Sequence, residues 1–248
     1  MNSSVTTAII LACLIAATWF GKRIQRHLPE PHFSADTKDT VKLAMGLVAM
    51  MAALLLSLLV SSAKDSYDTV RNEIIQLASK VIFLDRVLHL YGEETEPLRK
   101  GFRTELGNSF PAIWSHAHGE VKPEIQNGDG LYLGIQKLTP TNDLQRAMKD
   151  QALDIALELG QLRTLLHSQA MSSISIPLLT VLVCWLVIIF LSFSIFAPPN
   201  RTASIALVVS SISVAGAMFL ILEMDRPFTG LVHISPEPIV NALNQIGK

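Results

Sequence analysis

Between Val41 and Tyr91 the sequence passes from a membrane-spanning pattern to an amphipathic one with no stop signal in between. Leu43 to Ala63 is an uncharged, mostly apolar run of 21 residues. At about 1.5 Å rise per residue it is long enough to cross a hydrocarbon core of roughly 30 Å. Lys64-Asp65-Ser66-Tyr67-Asp68 then marks the exit into water, yet holds neither Gly nor Pro. Apolar residues follow at Val70, Ile74, Leu77, Val81, Leu84, Leu88 and Tyr91, in steps of 4, 3, 4, 3, 4 and 3. That heptad spacing buries one helical seam against a partner. Gly92 is the first residue suited to end the helix. The pattern predicts one rod of about 75 Å linking a membrane core to a helical head.

Composition agrees with a membrane protein. The 248 residues carry a net charge of −1 and only 17% charged side chains, with a mean hydropathy of +0.39, and the apolar content is gathered into blocks. A near-neutral balance gives no footing for a nucleic-acid partner, which needs concentrated basic charge. Cys13 and Cys184 both sit in apolar blocks, far from any metal-ligand spacing, and read as two buried thiols.

Ahead of the rod, the first 21 residues carry no charged side chain, and Ala8 to Phe20 is apolar apart from Thr18. A signal peptide would show a basic leading region and a cleavage site; here Lys22-Arg23 follow the apolar block directly. A retained first span is expected, with Trp19 at an interfacial position. The polar connector 22–40 holds Lys22, Arg23, Arg26, His27 and Lys38, and Pro29 and Pro31 exclude regular helix there. By the positive-inside rule this loop is cytoplasmic.

Beyond the rod lies the head. Thr95 and Pro97 mark the start of a helix from Glu93 to Gly107, which Pro111 interrupts or kinks. Gly119 to Thr139 contains four glycines, including Asn127-Gly128-Asp129-Gly130, and reads as a loop. Thr141-Asn142-Asp143 offers N-caps for a long helix from Leu144 towards Met171. Its apolar stripe is Leu144, Met148, Ile155, Leu159, Leu162 and Leu166. Two long helices, one leaving and one returning to the membrane, each bring an apolar seam, so an antiparallel stalk is expected.

The chain then returns to lipid at Ile176 to Ala197, turns at Pro198-Pro199-Asn200-Arg201, and spans again from Thr202 to Leu222. The expected fold is an all-α integral membrane protein. Its transmembrane helices are 4–21, 41–63, 176–197 and 202–222, with an extramembrane helical stalk and head, 64–173, between the second and third spans and an extramembrane tail, 223–248. Charge places loop 22–40 inside and the head outside.

No phosphate loop, nucleophile elbow, cofactor motif or Cys/His ligand set occurs, so neither an enzyme nor a metal or cofactor protein is expected. His116-Ala117-His118-Gly119-Glu120 reads as a solvated polar tip. Asp85-Arg86, beside seam residue Leu84, reads as a flanking salt bridge across the stalk. The four apolar cores contain no Asp, Glu, Lys, Arg or His, which disfavours a proton-coupled transporter. A channel is compatible, since small, hydroxyl and apolar residues can line a pore.

One face of the second span fits such a lining. Gly46, Ala49, Ala53, Ser57, Ser61 and Asp65 follow steps of 3, 4, 4, 4 and 4, with Leu47, Leu54, Leu55 and Leu58 expected opposite. Small residues at this spacing also let membrane helices pack closely. One copy of one helix cannot enclose a pore, so the pore reading requires a homo-oligomer about a central axis. Asp65 and Asp68 would then form acidic rings at the mouth, tempered by Lys64 and Arg71, and lean the ion preference towards cations.

Several runs carry a family likeness. Lys64-Asp65-Ser66-Tyr67-Asp68, Leu84-Asp85-Arg86, Leu90-Tyr91-Gly92-Glu93, Arg99 to Arg103 and Asp225-Arg226-Pro227-Phe228-Thr229-Gly230 followed by Ile234-Ser235-Pro236-Glu237-Pro238 are their residues. In these, and in its order of two spans, head and two spans, the chain resembles the bestrophin-like domain family of bacterial membrane proteins, over nearly its whole length. That family is itself distantly similar to bestrophins, which are pentameric anion channels whose second helix lines the pore and carries an apolar neck. The resemblance implies a multi-pass protein of the bacterial inner membrane that forms an oligomeric channel, a pentamer by the bestrophin pattern, passing an inorganic ion. It makes Leu55, Leu58 and Leu59 the candidate neck. It also departs from bestrophins: no acidic cluster matches a calcium clasp, and bestrophins keep the head in the cytoplasm, the reverse of the charge-based orientation.

In the tail, Asp225 and Arg226 end the fourth span as an interfacial contact, with Pro227 stopping the helix. The alternative to a channel is a non-conducting, membrane-anchored helical module for sensing or scaffolding, in which every stripe is packing.

Overall fold

The computed structural model describes residues 3–27, 34–115, 128–169, 175–198, 200–228 and 230–247, with the side chains of 109–115, 128–129 and 167–169 outside that description. The His116–Glu120 run and the prolines at 29, 31 and 199 lie outside the described residues. Every regular element among the described residues is helical: α1 (Ser3–Gln25), α2 (Ala35–Tyr91), a 3-10 turn (Glu93–Thr95), α3 (Glu96–Ser115), α4 (Gly128–Gln136), α5 (Asp143–Gln169), α6 (Ile176–Phe196), α7 (Arg201–Met224) and α8 (Glu237–Gln245). Four of them, α1, α2, α6 and α7, are long and apolar enough to cross a membrane. The chain forms two compact units, Met1–Ser66 with Ser173–Asp225, and Tyr67–Ser172 with Arg226–Lys248.

The first unit holds α1, the first part of α2, α6 and α7. Its core is made by Ile10, Leu14 and Ala17 of α1, Ala52, Leu59 and Ala63 of α2, Leu182, Leu186, Ile189 and Phe190 of α6, and Met218 and Ile221 of α7. Hydrogen bonds fix the helix directions. Ser3 Oγ donates to the Leu222 carbonyl (3.3 Å), while Lys22 Nζ donates to Ser204 Oγ, so α7 runs antiparallel to α1. Ser194 Oγ donates to the Thr18 carbonyl, and Gln25 Nε2 to the Ala197 carbonyl (2.8 Å), so α6 runs parallel to α1. Asn200 caps α7 by accepting from the Ala203 amide (2.7 Å), which satisfies one orphan donor of its first turn.

The helices outrun the apolar blocks at both ends. α1 takes in Lys22 and Arg23, and α2 begins at Ala35, both inside the expected connector. α7 continues through Glu223, which is buried, where the tail was expected to begin. Charged residues at the ends of a span stay helical because each backbone carbonyl and amide still needs its partner at the interface.

In the second unit the heptad seam of α2 is buried at all seven positions, Val70 to Tyr91. It shares one core with Phe102 of α3, Ile135 of α4, and Ala152, Ile155, Leu162 and Leu166 of α5. Gln145 Nε2 donates to the Tyr91 carbonyl (3.1 Å) and Lys80 Nζ pairs with Glu158, so α2 and α5 are antiparallel as expected. Burial rather than charge holds them together: each fully buried Leu or Ile contributes about 1.5–3 kcal/mol, against about 0–1 kcal/mol for an exposed ion pair. Leu144 is exposed, one turn beyond the useful stripe.

Two expectations are corrected here. Residues 128–136 form helix α4 instead of loop, because Ile135 is wholly buried and a Cβ on Gly134 would stand 2.5 Å from Leu98 Cδ1. That packing overrides the poor helix propensity of three glycines. α3 runs on through Pro111 to Ser115, so the proline does not interrupt it; a single proline removes one backbone bond and the turns on either side persist.

The tail is also more than an end. Ile234, Ile239, Ala242 and Ile246 join the core of this unit, and the Ile234 amide donates to the Pro227 carbonyl (2.8 Å). α8 has Pro238 in its first turn, where a missing N–H is harmless.

Candidate functional site

Within the first unit, α2 buries one flank through Ala52, Leu59 and Ala63, with Val48, Ala49, Leu55 and Leu56 partly buried against the same core. Gly46 and Ala49 are half-buried, and Ala53, Ser57, Ser61 and Asp65 are exposed. Ser61 Oγ donates to Asp65 Oδ2 at 3.5 Å. Of the leucines expected on the opposite side, Leu47, Leu54 and Leu58 are instead adjacent, and only Leu55 turns towards the core. Leu43, Leu47, Met50, Leu54 and Leu58 form a second exposed row at steps of 4, 3, 4 and 4, and by helical spacing both rows run into Ser61 and Asp65. Of the candidate neck residues, Leu58 is 57% exposed and Leu59 only 3%, and Leu55 is half-buried against the core of the unit. Leu58 is therefore the neck candidate free of the fold's own packing. Asp68 belongs to the second unit and is half-buried.

The second unit contains a polar cluster that the heptad pattern only hinted at. Asp85 on α2 and Arg99 on α3 form a two-pronged pair, Nε to Oδ1 and NH2 to Oδ2, both 2.8 Å. Each side chain is 9% exposed. The expected flanking salt bridge of Asp85 is in fact this buried pair, and the neighbouring Arg86 is exposed. Two further groups close around it. Arg99 NH1 lies 3.2 Å from His89 Nδ1, and because a guanidinium only donates, that nitrogen accepts. The Gly247 amide donates to Asp85 Oδ2 (3.3 Å). The hydrogen bond to the Asp85 carboxylate holds the Arg99 guanidinium above its usual range, against the opposing effect of burial.

The turn that brings Arg99 back to Asp85 is built by Gly92 and Thr95. Gly92 takes φ +140, a region that suits glycine. Thr95, wholly buried, donates its hydroxyl to the Leu88 carbonyl (2.6 Å) and so satisfies an orphan acceptor at the end of α2. The Tyr91 hydroxyl, also buried, has no hydrogen-bond partner among the described residues.

Asp225 and Arg226, the interfacial pair, are both half-buried; the Asp225 amide closes α7 by donating to the Ile221 carbonyl (3.2 Å). Among the described residues no group of three or more His, Cys, Asp or Glu side chains is placed to hold a metal ion. Cys13 and Cys184 are free and exposed on the helix surface, where buried thiols were expected.

Residues 12–239 match the model of the bestrophin-like family, described as a bestrophin-like domain. Neither a curated protein nor a solved structure matches the chain.

Proposed function

The chain belongs to the bestrophin-like domain family, and from that premise we propose that it is a homo-oligomeric ion channel whose pore is lined by the exposed face of α2. The observation that carries this reading is that uncovered face. Ala53, Ser57, Ser61 and Asp65 lie along it, Gly46 and Ala49 continue the row half-buried, and Leu58 beside them supplies an apolar constriction. The reading requires several copies, and the water-facing part of α2 supports them: Ile75, Phe83 and Leu90 are all exposed there, large apolar side chains that a neighbouring copy would cover. It assigns no catalytic residue and no cofactor; the partners are a second copy, the bilayer and an inorganic ion.

The orientation proposed is that of the charges. Lys22, Arg23 and Arg26 share one end of the first unit with Arg201, since Lys22 bonds Ser204 and Gln25 bonds Ala197. By the positive-inside rule that end faces the cytoplasm of a bacterial inner membrane.

Flux from purified protein in liposomes tests the function, with wild type compared with Ser57→Trp in K⁺ and Cl⁻ gradients. Ion-selective flux that the tryptophan abolishes supports the pore face and names the ion. Folded oligomer that passes neither ion sinks the channel and leaves the membrane-anchored helical module. Reporter fusions after Gln25 and after Gln245 test the orientation.

A further inference from the structure

On the outer surface of the first unit, α1 and α6 enclose an open groove of about 440 Å³ lined by Cys13, Ala16, Ala17, Trp19, Phe20, Val187 and Leu191. Small side chains make its floor. Trp19 and Phe20 stand out at its rim, 66% and 54% exposed. Arg23 follows Trp19 by four residues and Phe20 by three, and Arg26 follows Arg23 by three, so the same face of α1 that forms the groove continues into two guanidinium groups.

The remaining polar groups at this end of α1 are already engaged. Lys22 is bonded to Ser204 and Gln25 to the Ala197 carbonyl, which fastens α1 to the α6–α7 turn. His27 Nδ1 is bonded to the Arg23 carbonyl (2.9 Å). Arg23 and Arg26 are exposed and make no ion pair with any described residue. Residues 1–27 contain no Asp or Glu.

We propose that this groove and its two arginines form a binding site for an anionic phospholipid, one acyl chain lying along Ala16 and Phe20 and the phosphate held by Arg23 and Arg26. The chemistry matches at each level. An apolar trough takes hydrocarbon, an aromatic pair sits where glycerol and ester groups begin, and a guanidinium fork suits phosphate oxygens in two-pronged contact. Two basic side chains at a membrane surface favour an anionic over a zwitterionic headgroup by roughly tenfold or more. The site is independent of whether the protein conducts ions.

Native mass spectrometry of the full-length protein in neutral detergent, titrated with phosphatidylglycerol and separately with phosphatidylcholine, tests it. Phosphatidylglycerol is expected to be retained roughly tenfold better. Arg23→Gln with Arg26→Gln removes that preference while phosphatidylcholine retention is unchanged, and Ala16→Phe, filling the floor, lowers retention of both lipids. All three positions are exposed, so the variants leave the core intact. Equal retention of the two lipids by wild type, or full preference in the double arginine variant, overturns the proposal. It is equally overturned if Ala16→Phe leaves lipid binding intact and changes the oligomer mass, because the groove's occupant is then a second copy of the chain.

Discussion

Asp85 and Arg99 stand only 14 residues apart in the chain, yet they meet in the core of the second unit with both carboxylate oxygens bonded by the guanidinium. The Gly92 turn folds α3 back along α2, and this pair fixes the register of the two. Breaking such a pair strands one buried charge, at a cost of about 3–5 kcal/mol, whereas replacing both partners by apolar side chains is often neutral. Asp85→Ala and Arg99→Ala are each expected to lower stability by about that amount. The double variant Asp85→Leu with Arg99→Met is expected to recover most of it. Thermal unfolding in detergent reads the difference; single variants within about 1 kcal/mol of wild type would show that the pair contributes little.

Parts of this were plain in the sequence. Val70 to Tyr91 alternate at heptad spacing, and all seven are buried. The Asp85 partner was not visible, because a heptad pattern marks which face is buried without naming what covers it. Ala78 and Val87 are also buried, so α2 is covered on a wider front than one seam, and Asp85 falls inside it. Helix α4 was obscured by its glycines, whose meaning depends on how closely Leu98 approaches Gly134. α8 was legible in retrospect from Ile239, Ala242 and Ile246, spaced 3 and 4, behind a proline start.

Gly247 has φ +74, and a Cβ built on it would stand 3.1 Å from Arg103 Cδ. A left-handed conformation costs an L-residue roughly 1–2 kcal/mol. Gly247→Ala is therefore expected to destabilise by about that much and to loosen the amide contact to Asp85. Amide hydrogen exchange over α8 should speed up; unchanged exchange would place the tail's hold elsewhere, in Ile239 and Ile246.

Glu105 is held above the ordinary carboxylate range chiefly by burial, with Arg163 pulling the other way. A carboxyl whose folded pKa is raised binds its proton more tightly in the folded state. Its stabilising effect is complete below the unfolded pKa of about 4.3 and is lost as pH rises through the higher folded value. Glu105→Gln should consequently stabilise the protein at pH 7 and do little below about pH 4. Melting temperatures across that range check the sign; a loss of stability at pH 7 would mean that the charge attraction to Arg163 outweighs burial.

Gly21 lets α1 and α6 touch. A Cβ there would lie 2.7 Å from Ser194 Cβ and 2.9 Å from the Leu191 carbonyl oxygen, and a backbone atom cannot step aside. Gly21→Val should force the helices apart and cost about 1–3 kcal/mol as overpacking does. Gly46→Ala, with nothing within 4 Å, should cause no loss of stability and add up to about 1 kcal/mol through its better helix propensity. Equal effects of the two would mean that the α1–α6 contact yields more easily than its geometry indicates.

If α2 faces a shared axis, its exposed positions approach their own copies and its buried ones do not. In a background of Cys13→Ser and Cys184→Ser, Ser57→Cys should give covalent dimers with a short bifunctional thiol reagent in membranes. Ala52→Cys, whose parent side chain is 4% exposed within the first unit, should give none. Protein concentration separates real contact from collision, because cross-linking inside an assembly is unaffected by dilution with lipid, whereas encounters between separate copies fall away. Yield at Ser57 that persists on dilution supports the axis and, with it, the pore face. Yield that disappears, or that is equal at both positions, removes the geometric basis for a channel built on α2.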